Sequence, residues 1–199
     1  MSSSKNIIIC LFFIMAAASP VAAQFRLPQI DVDLKGAFSL YDAGNNENVD
    51  HINQTSVQGS VHVAISQHIA LGAFYMKGLN GSITHKNGAS ANTQNNLKTL
   101  MSGFDLRLSA GRSVKWRPYL LLSYSKIEFV ESYTGYNLAH STWAPGVNLG
   151  VMLRLGNSFY WNVIEVGGKF LGEKVYWLDT DFTAEVKTGV TYNIRIKSK

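Results

Sequence analysis

Residues 181–196 read DFTAEVKTGVTYNIRI, and their side chains alternate without a break between a largely apolar and a polar set. Successive side chains of a β-strand point to opposite faces, so this segment has one apolar and one polar face. Its 16 residues far exceed the roughly 5–6 residues of a usual strand. A strand that crosses a bilayer needs about 9–11 residues and alternates apolar and polar positions. The segment therefore predicts a wall strand of a membrane barrel.

The beginning of the chain predicts how it reaches a membrane. Lys5 precedes an apolar run over residues 7–18, and small residues follow up to Ala23. This order is typical of a secretory signal peptide, and the run is too short for the ~20 residues of a spanning helix. Cys10 lies inside the apolar run rather than at the cleavage point, which argues against a lipoprotein anchor. We predict a signal peptide over residues 1–23 and an outer-membrane β-barrel domain over residues 24–199.

Composition excludes several classes of function. Cys10 is the only cysteine, so cleavage after Ala23 removes disulfides and thiolate chemistry from the exported chain. Loss of Lys5 lowers the formal net charge from +5 to +4, and without a Lys/Arg run nucleic acid is not a predicted partner. Charged residues are 16% of the chain, against about 25% in typical soluble domains, which predicts a small water-facing surface. Because no later window is apolar enough for a membrane helix, a closed barrel is the remaining way to span.

Period-two alternation recurs along the chain and predicts eight strands. The register of the fifth stays open, because Leu121 and Lys126 interrupt its pattern. The predicted strands cover residues 30–41, 57–66, 69–79, 97–110, 116–130, 143–155, 159–171 and 181–196. Short turns follow the even-numbered strands, and long polar segments, 42–56, 80–96, 131–142 and 172–180, follow the odd-numbered ones. An even strand count with alternating connections is typical of bacterial outer-membrane barrels, so the predicted fold is all-β, an eight-stranded antiparallel up-and-down transmembrane β-barrel.

Alternation alone does not say which face points inward, because a soluble lipocalin-like barrel also alternates, with its apolar face inside. Small residues such as Gly146 and Gly150 on the polar faces favour a narrow polar lumen, and the low charged fraction also favours a membrane. Aromatic residues near predicted strand ends are typical of an interfacial girdle. These aromatic residues are Trp116, Tyr119, Trp143, Tyr160, Trp161, Tyr176, Trp177 and Tyr192. An exported soluble ligand-binding barrel remains the alternative.

The signal peptide, the eight alternating segments and the closing strand at 186–196 resemble the small outer-membrane barrels typified by OmpX and the membrane domain of OmpA. They also resemble the porin-like barrel proteins of Bacteroidetes. The resemblance implies a monomer in the outer membrane of a Gram-negative bacterium. It also implies contact with outer-membrane lipid, with lipopolysaccharide and with the barrel-insertion machinery.

Charged residues on the polar faces would line the lumen of such a barrel. Because isolated charges in a confined lumen are costly, they should pair in a network. An eight-stranded interior is just wide enough for side chains to fill it, which favours a plugged lumen, with a gated small pore as the alternative. Closure makes the first and eighth strands neighbours and should bring their charges together. The predicted lumen residues are Asp31, Asp33, Lys35, Asp105, Arg107, Arg154, Glu165, Lys169, Glu185, Lys187 and Arg195.

No catalytic, metal or cofactor site is predicted. The nearest candidate is a cluster of His140, Ser141 and Thr142, with Glu131 at the other end of the same connection. A serine nucleophile needs a base within hydrogen-bond reach, yet adjacent residues of an extended chain point to opposite faces. A lipid A-modifying barrel enzyme is therefore a lesser alternative, and we predict that the chain is not an enzyme. His62 is predicted to be a paired lumen residue.

Long connections are the predicted carriers of function, because loops on a rigid scaffold carry contacts with partners. Four aromatic residues in the last two long segments are candidates for such contacts: Tyr133, Tyr136, Tyr176 and Trp177. The sequence thus predicts an outer-membrane barrel of structural or surface-interaction type.

Overall fold

A computed structural model describes residues 29–41, 49–85, 93–111, 114–133, 136–171 and 182–196. The eight strands are β1 (Gln29–Tyr41), β2 (Val49–Ala64), β3 (Ile69–His85), β4 (Thr93–Ser109), β5 (Trp116–Tyr133), β6 (Tyr136–Arg154), β7 (Phe159–Phe170) and β8 (Phe182–Arg195). Within these ranges no helix is long and apolar enough to cross a membrane. The predicted signal peptide lies outside the described residues.

The strands form one closed antiparallel barrel in which each strand pairs with its neighbours in sequence. β1 also pairs with β8, from Gln29 opposite Arg195 to Tyr41 opposite Thr183. Closure removes the free strand edges of an open sheet. The predicted fold and the predicted contact of the first and last strands are confirmed.

Apolar side chains face outward. On β1 from Asp31 onward the even positions are exposed, with Leu34 at 58%, while the odd positions are buried inside the barrel. Leu149 and Phe104 are exposed to 59% and 73% on the outside of β6 and β4. A soluble barrel places its apolar face inside, so the lipocalin-like alternative is wrong. The outer surface is instead the apolar band that a lipid bilayer covers.

The predicted aromatic girdle is only partly correct. Trp116, Trp143 and Trp161 are exposed on the outer face, as a girdle requires. Tyr119 and Tyr160 are buried inside the barrel, at 3% and 4% exposure, because each belongs to the alternate residues of its strand that face the interior.

The strands are longer than predicted at one end of the barrel, which we call the long-connection end. β2 already begins at Val49 and β6 at Tyr136, within segments predicted as loops. Residues 42–48, 86–92 and 134–135 separate the first three strand pairs there, whereas residues 171–181 separate β7 from β8, close to the prediction. Strand pairing uses backbone groups, and beyond the apolar band both faces of a strand can be polar, so the alternation that marks a strand in the sequence disappears.

Strand β5 points its odd-numbered residues inward, which resolves the register that the sequence left open. Leu121, Ile127 and Phe129 are buried inside, whereas Leu120 and Tyr124 face outward. Apolar residues lie on both faces of its first half, and toward the long-connection end the pattern reverses, with apolar residues inward and charged residues outward, so no single alternation runs along the strand. The inward residues join an apolar layer inside the long-connection end, formed by Ala37, Tyr41, Ile52, Phe74, Met76, Ile83, Leu97, Met101, Ile127, Phe129, Ala144 and Leu171.

Candidate functional site

Nine of the eleven charged residues predicted for the lumen are buried inside the barrel, none more than 4% exposed. Each occupies the inward phase of its strand, since alternate residues of a wall strand face the interior. They are Asp31, Asp33, Lys35, Asp105, Arg107, Glu165, Lys169, Glu185 and Lys187.

One set of contacts surrounds Arg107, and we call Arg107 with Asp31, Asp33, Asp105 and His62 the Arg107 group. The Arg107 Nη2 atom donates to Asp33 Oδ2, and Nη1 lies 3.6 Å from Asp31 Oδ2. His62 Nε2 lies 2.7 Å from Asp105 Oδ1, and Nδ1 lies 3.5 Å from Asp33 Oδ2. One guanidinium and one imidazole thus lie among three carboxylates.

A second set, the Glu165 group, consists of Glu165, Glu185, Lys35, Lys169 and Lys187. Lys35 Nζ donates to Glu165 Oε2 at 2.5 Å, and Lys187 Nζ lies 3.2 Å from Glu165 Oε1. Glu185 Oε1 accepts from Lys169 at 2.6 Å and lies 2.9 Å from Lys187 Nζ. Each carboxylate therefore contacts two ammonium groups, the kind of compensation that buried charges require.

Tyr119 links the two groups. Its hydroxyl donates to Glu165 Oε2 at 2.6 Å. Both Lys35 Nζ and Arg107 Cζ lie 5.5 Å from the centroid of its ring, within the range of cation–π attraction. Gly150 lies opposite Tyr119 on β6, and a Cβ at Gly150 would overlap the ring. This role of Tyr119 could not be predicted from sequence, because the register of the fifth strand stays open there and Tyr119 is predicted in the girdle.

Charge in the two groups is close to balanced. Five carboxylates face four lysine or arginine side chains, and His62 is the tenth titratable member. Lys35 Nζ also lies 3.8 Å from Asp33 Oδ2, so the groups form one continuous ionic network. Such an arrangement holds the barrel wall together from inside, because removing any one member leaves an uncompensated buried charge.

The predicted contact between the charges of β1 and β8 is made through a third strand. Glu165 of β7 contacts Lys35 of β1 and Lys187 of β8. The sequence gives no indication of this bridge, because it depends on how far neighbouring strands are shifted along one another.

The remaining two predicted lumen residues, Arg154 and Arg195, do not join the network, and that part of the prediction is wrong. Arg154 is half-buried and Arg195 is exposed. Both lie at the ends of their strands, where Arg154 Nε donates to Gly156 O at 3.0 Å and Arg195 Nη2 donates to Asn157 O at 3.1 Å. Here the barrel opens to water, so these guanidinium groups bind carbonyls of the turn between β6 and β7.

Two of the four candidate contact aromatics lie in the part of the chain that the structure describes. Tyr133 and Tyr136 are paired strand residues on either side of the two-residue connection 134–135, so their prediction as loop residues is wrong. Tyr176 and Trp177 lie outside the described residues.

The residues of the catalytic alternative are not arranged so that a histidine could activate Ser141. Ser141 is exposed on the outer face of β6, whereas Thr142 is buried inside and His140 occupies the same inward phase as Thr142. The wall of the barrel thus separates the hydroxyl of Ser141 from the imidazole. Among the described side chains, no group of three His, Cys, Asp or Glu residues is arranged to hold a metal ion.

Comparison with known proteins agrees with this geometry. Residues 8–193 match a family model described as outer membrane protein beta-barrel domain. A comparison with curated protein sequences gives no match.

Solved structures with the same fold include OprG from Pseudomonas aeruginosa, at 12% identity and a TM-score of 0.60, covering 86% of this chain and 98% of that one. Neisserial surface protein A aligns at 14% identity and a TM-score of 0.58, covering 83% and 96% of the two chains. The N-terminal barrel domain of OprF from Pseudomonas aeruginosa aligns at 13% identity and a TM-score of 0.54, covering 82% of this chain and 97% of that one. At these identities the likeness concerns the fold alone.

Proposed function

Because the chain belongs to the outer-membrane β-barrel family, we propose that it is a structural barrel of the Gram-negative outer membrane with a closed lumen and surface contacts at its long-connection end. The observation that carries this proposal is the continuous ionic network of the Arg107 and Glu165 groups across the interior.

Two layers support a closed lumen. The ionic network fills one level of the interior, and the apolar layer that includes Ile127 and Phe129 fills the long-connection end. Ions would have to displace paired charges in the first layer and cross a largely apolar second layer. Both steps are costly, so we propose a plug rather than a gated pore.

A non-catalytic role is supported by the outward position of Ser141, which keeps the candidate serine nucleophile away from His140. We therefore place the function in contacts of the barrel surface rather than in chemistry.

We propose that the long-connection end faces the outside of the cell and that the signal peptide over residues 1–23 directs export. In outer-membrane barrels, short turns face the periplasm, and here the short connections include residues 65–68 and 155–158. Surface contacts would then be made by the strand ends and connections around residues 42–48 and 86–92.

Cysteine labelling tests this orientation, because the exported chain has no cysteine of its own if cleavage follows Ala23. We expect Asn46→Cys to react with a membrane-impermeant maleimide on intact cells. Gln67→Cys should react only after the outer membrane is permeabilised, because residue 67 lies in a short turn. Labelling is read as a mass shift on a denaturing gel.

Asn157→Cys, in another short turn, is the matched control and should behave like the variant at position 67. Labelling of both short-turn cysteines on intact cells, with position 46 protected, would reverse the proposed orientation.

A further inference from the structure

Charged residues on the outer face of the barrel are confined to one region. Among the strand side chains that the structure describes, the outward-facing charges are Lys77 on β3, Lys98 on β4, and Lys126 and Glu128 on β5. The described outer faces of the other five strands carry none. Lysines that only extend toward water at a membrane boundary would be expected on strands all around the barrel, not on three adjacent strands. We call Lys77, Lys98 and Lys126 the lysine patch.

The strand register places these residues around one row of the outer face. Lys77 lies opposite Leu100, and Leu100 lies opposite Glu128 on the next strand. Lys98 lies two positions from this row toward the long connections, and Lys126 lies two positions from it toward the short turns, so the lysines face the same side and span the row. Lys77 and Lys98 are diagonal neighbours, with about 7–8 Å between such positions.

The patch lies in the half of the barrel wall nearer the long connections, where on β3 one more exposed apolar residue, Leu79, follows Lys77. Toward the short-turn end, the same strands expose Tyr75, Phe104 and Tyr124. The Tyr124 ring stacks on Trp143, which lies opposite Lys126, with centroids 5.3 Å apart. Aromatic rings of this kind mark the level of lipid headgroups, so the ammonium groups reach the headgroup region.

Glu128 does not neutralise the patch. Its Oε1 lies 2.7 Å from Lys126 Nζ, but the two side chains are 43% and 44% exposed, and exposed ion pairs are weak. Three lysines against one carboxylate leave a positive surface. Such a surface at headgroup level is complementary to phosphate, which lysine binds as a point charge.

We propose that the lysine patch binds the phosphate groups of a phosphorylated glycolipid in the outer leaflet. The acyl chains of that lipid would lie against the apolar faces of β3–β5 below, among Tyr75, Phe104 and Tyr124. This inference rests on the proposed orientation, with the long-connection end outside the cell. It does not depend on a closed lumen.

Native mass spectrometry of the barrel extracted from outer membranes in a zwitterionic detergent tests the site, with diphosphoryl lipid A as the probe. We expect the triple variant Lys77→Gln, Lys98→Gln and Lys126→Gln to bind at least tenfold more weakly than wild type. The corresponding triple arginine variant should retain binding, because it keeps the charges. Glu128→Gln should bind as tightly as wild type or more tightly, because it removes the competing carboxylate.

Lys115→Gln, which removes an exposed lysine from a short turn, is the matched control and should bind like wild type. A band shift between unboiled and boiled samples checks that each variant is folded. Three results would overturn the proposal: equal binding by the triple glutamine variant, equal binding of fully dephosphorylated lipid A, or displacement of the lipid by inorganic pyrophosphate at equal concentration. Reversed cysteine labelling would overturn the orientation and with it the outer-leaflet lipid, whereas lost binding specificity with normal labelling would overturn the site alone. Conductance would overturn only the closed lumen.

Discussion

Arg107→Met is expected to cost about 3–5 kcal/mol of unfolding free energy, the usual result of removing one partner from a buried ionic cluster. The substitution keeps much of the side-chain volume but leaves Asp31, Asp33 and Asp105 without their guanidinium. Arg107 is fully buried, so water cannot readily replace its contacts. The measurement is a urea titration of the barrel folded in phospholipid vesicles, followed by tryptophan fluorescence.

Arg195→Met is the matched control. Arg195 has the same charge and was predicted from sequence to share the network, but it is exposed and donates to a turn carbonyl. Its loss should cost about 1 kcal/mol or less. Adding Asp33→Asn to Arg107→Met should recover part of the lost stability, because it removes one uncompensated carboxylate. Equal costs for the two arginine variants would contradict the network.

Leu149→Arg is expected to destabilise the barrel in a bilayer by about 2–4 kcal/mol, the usual cost of an arginine on the lipid face near the midplane. Leu149 is 59% exposed and lies opposite Leu120 and Val166 in the apolar band. In a water-soluble barrel, the same change at an exposed position would lie within about 0.5 kcal/mol of wild type. The measurement is again urea unfolding in vesicles.

Ser141→Arg provides the comparison on the same strand. Ser141 faces outward, eight residues toward the long-connection end, where Glu128 lies opposite it. Near the membrane boundary an arginine costs about 0–1 kcal/mol. If both arginines cost the same small amount, the outer face of β6 would not be covered by lipid.

The membrane-spanning parts of the strands could be predicted from sequence, because there one face meets lipid and the other meets a polar interior. Strand β8 shows this most clearly, from Phe182 to Arg195. The prediction failed where that contrast ends. The polar extension of β2 before Ser56 looks like a loop. On β5 the inward Ile127 and Phe129 are apolar while the outward residues beside them include two charges, the reverse of the pattern that marks a membrane strand.

The candidate site could be predicted only as a set of inward-facing charges. Alternation placed Asp33, Arg107 and Glu165 inside, but their partners depend on the shift between neighbouring strands, which the sequence does not encode locally. The same shift brings Tyr119 to Glu165. Arg154 and Arg195 have the correct phase, but they lie too close to the strand ends for burial.

Planar-bilayer recording of the wild-type barrel tests the central claim of a closed lumen most directly. We predict no stepwise conductance from preparations whose unboiled and boiled bands confirm folded, inserted protein. Stable conductance steps whose amplitude changes in Lys35→Ala would contradict the claim, because such a current would have to pass the side chain that contacts Glu165.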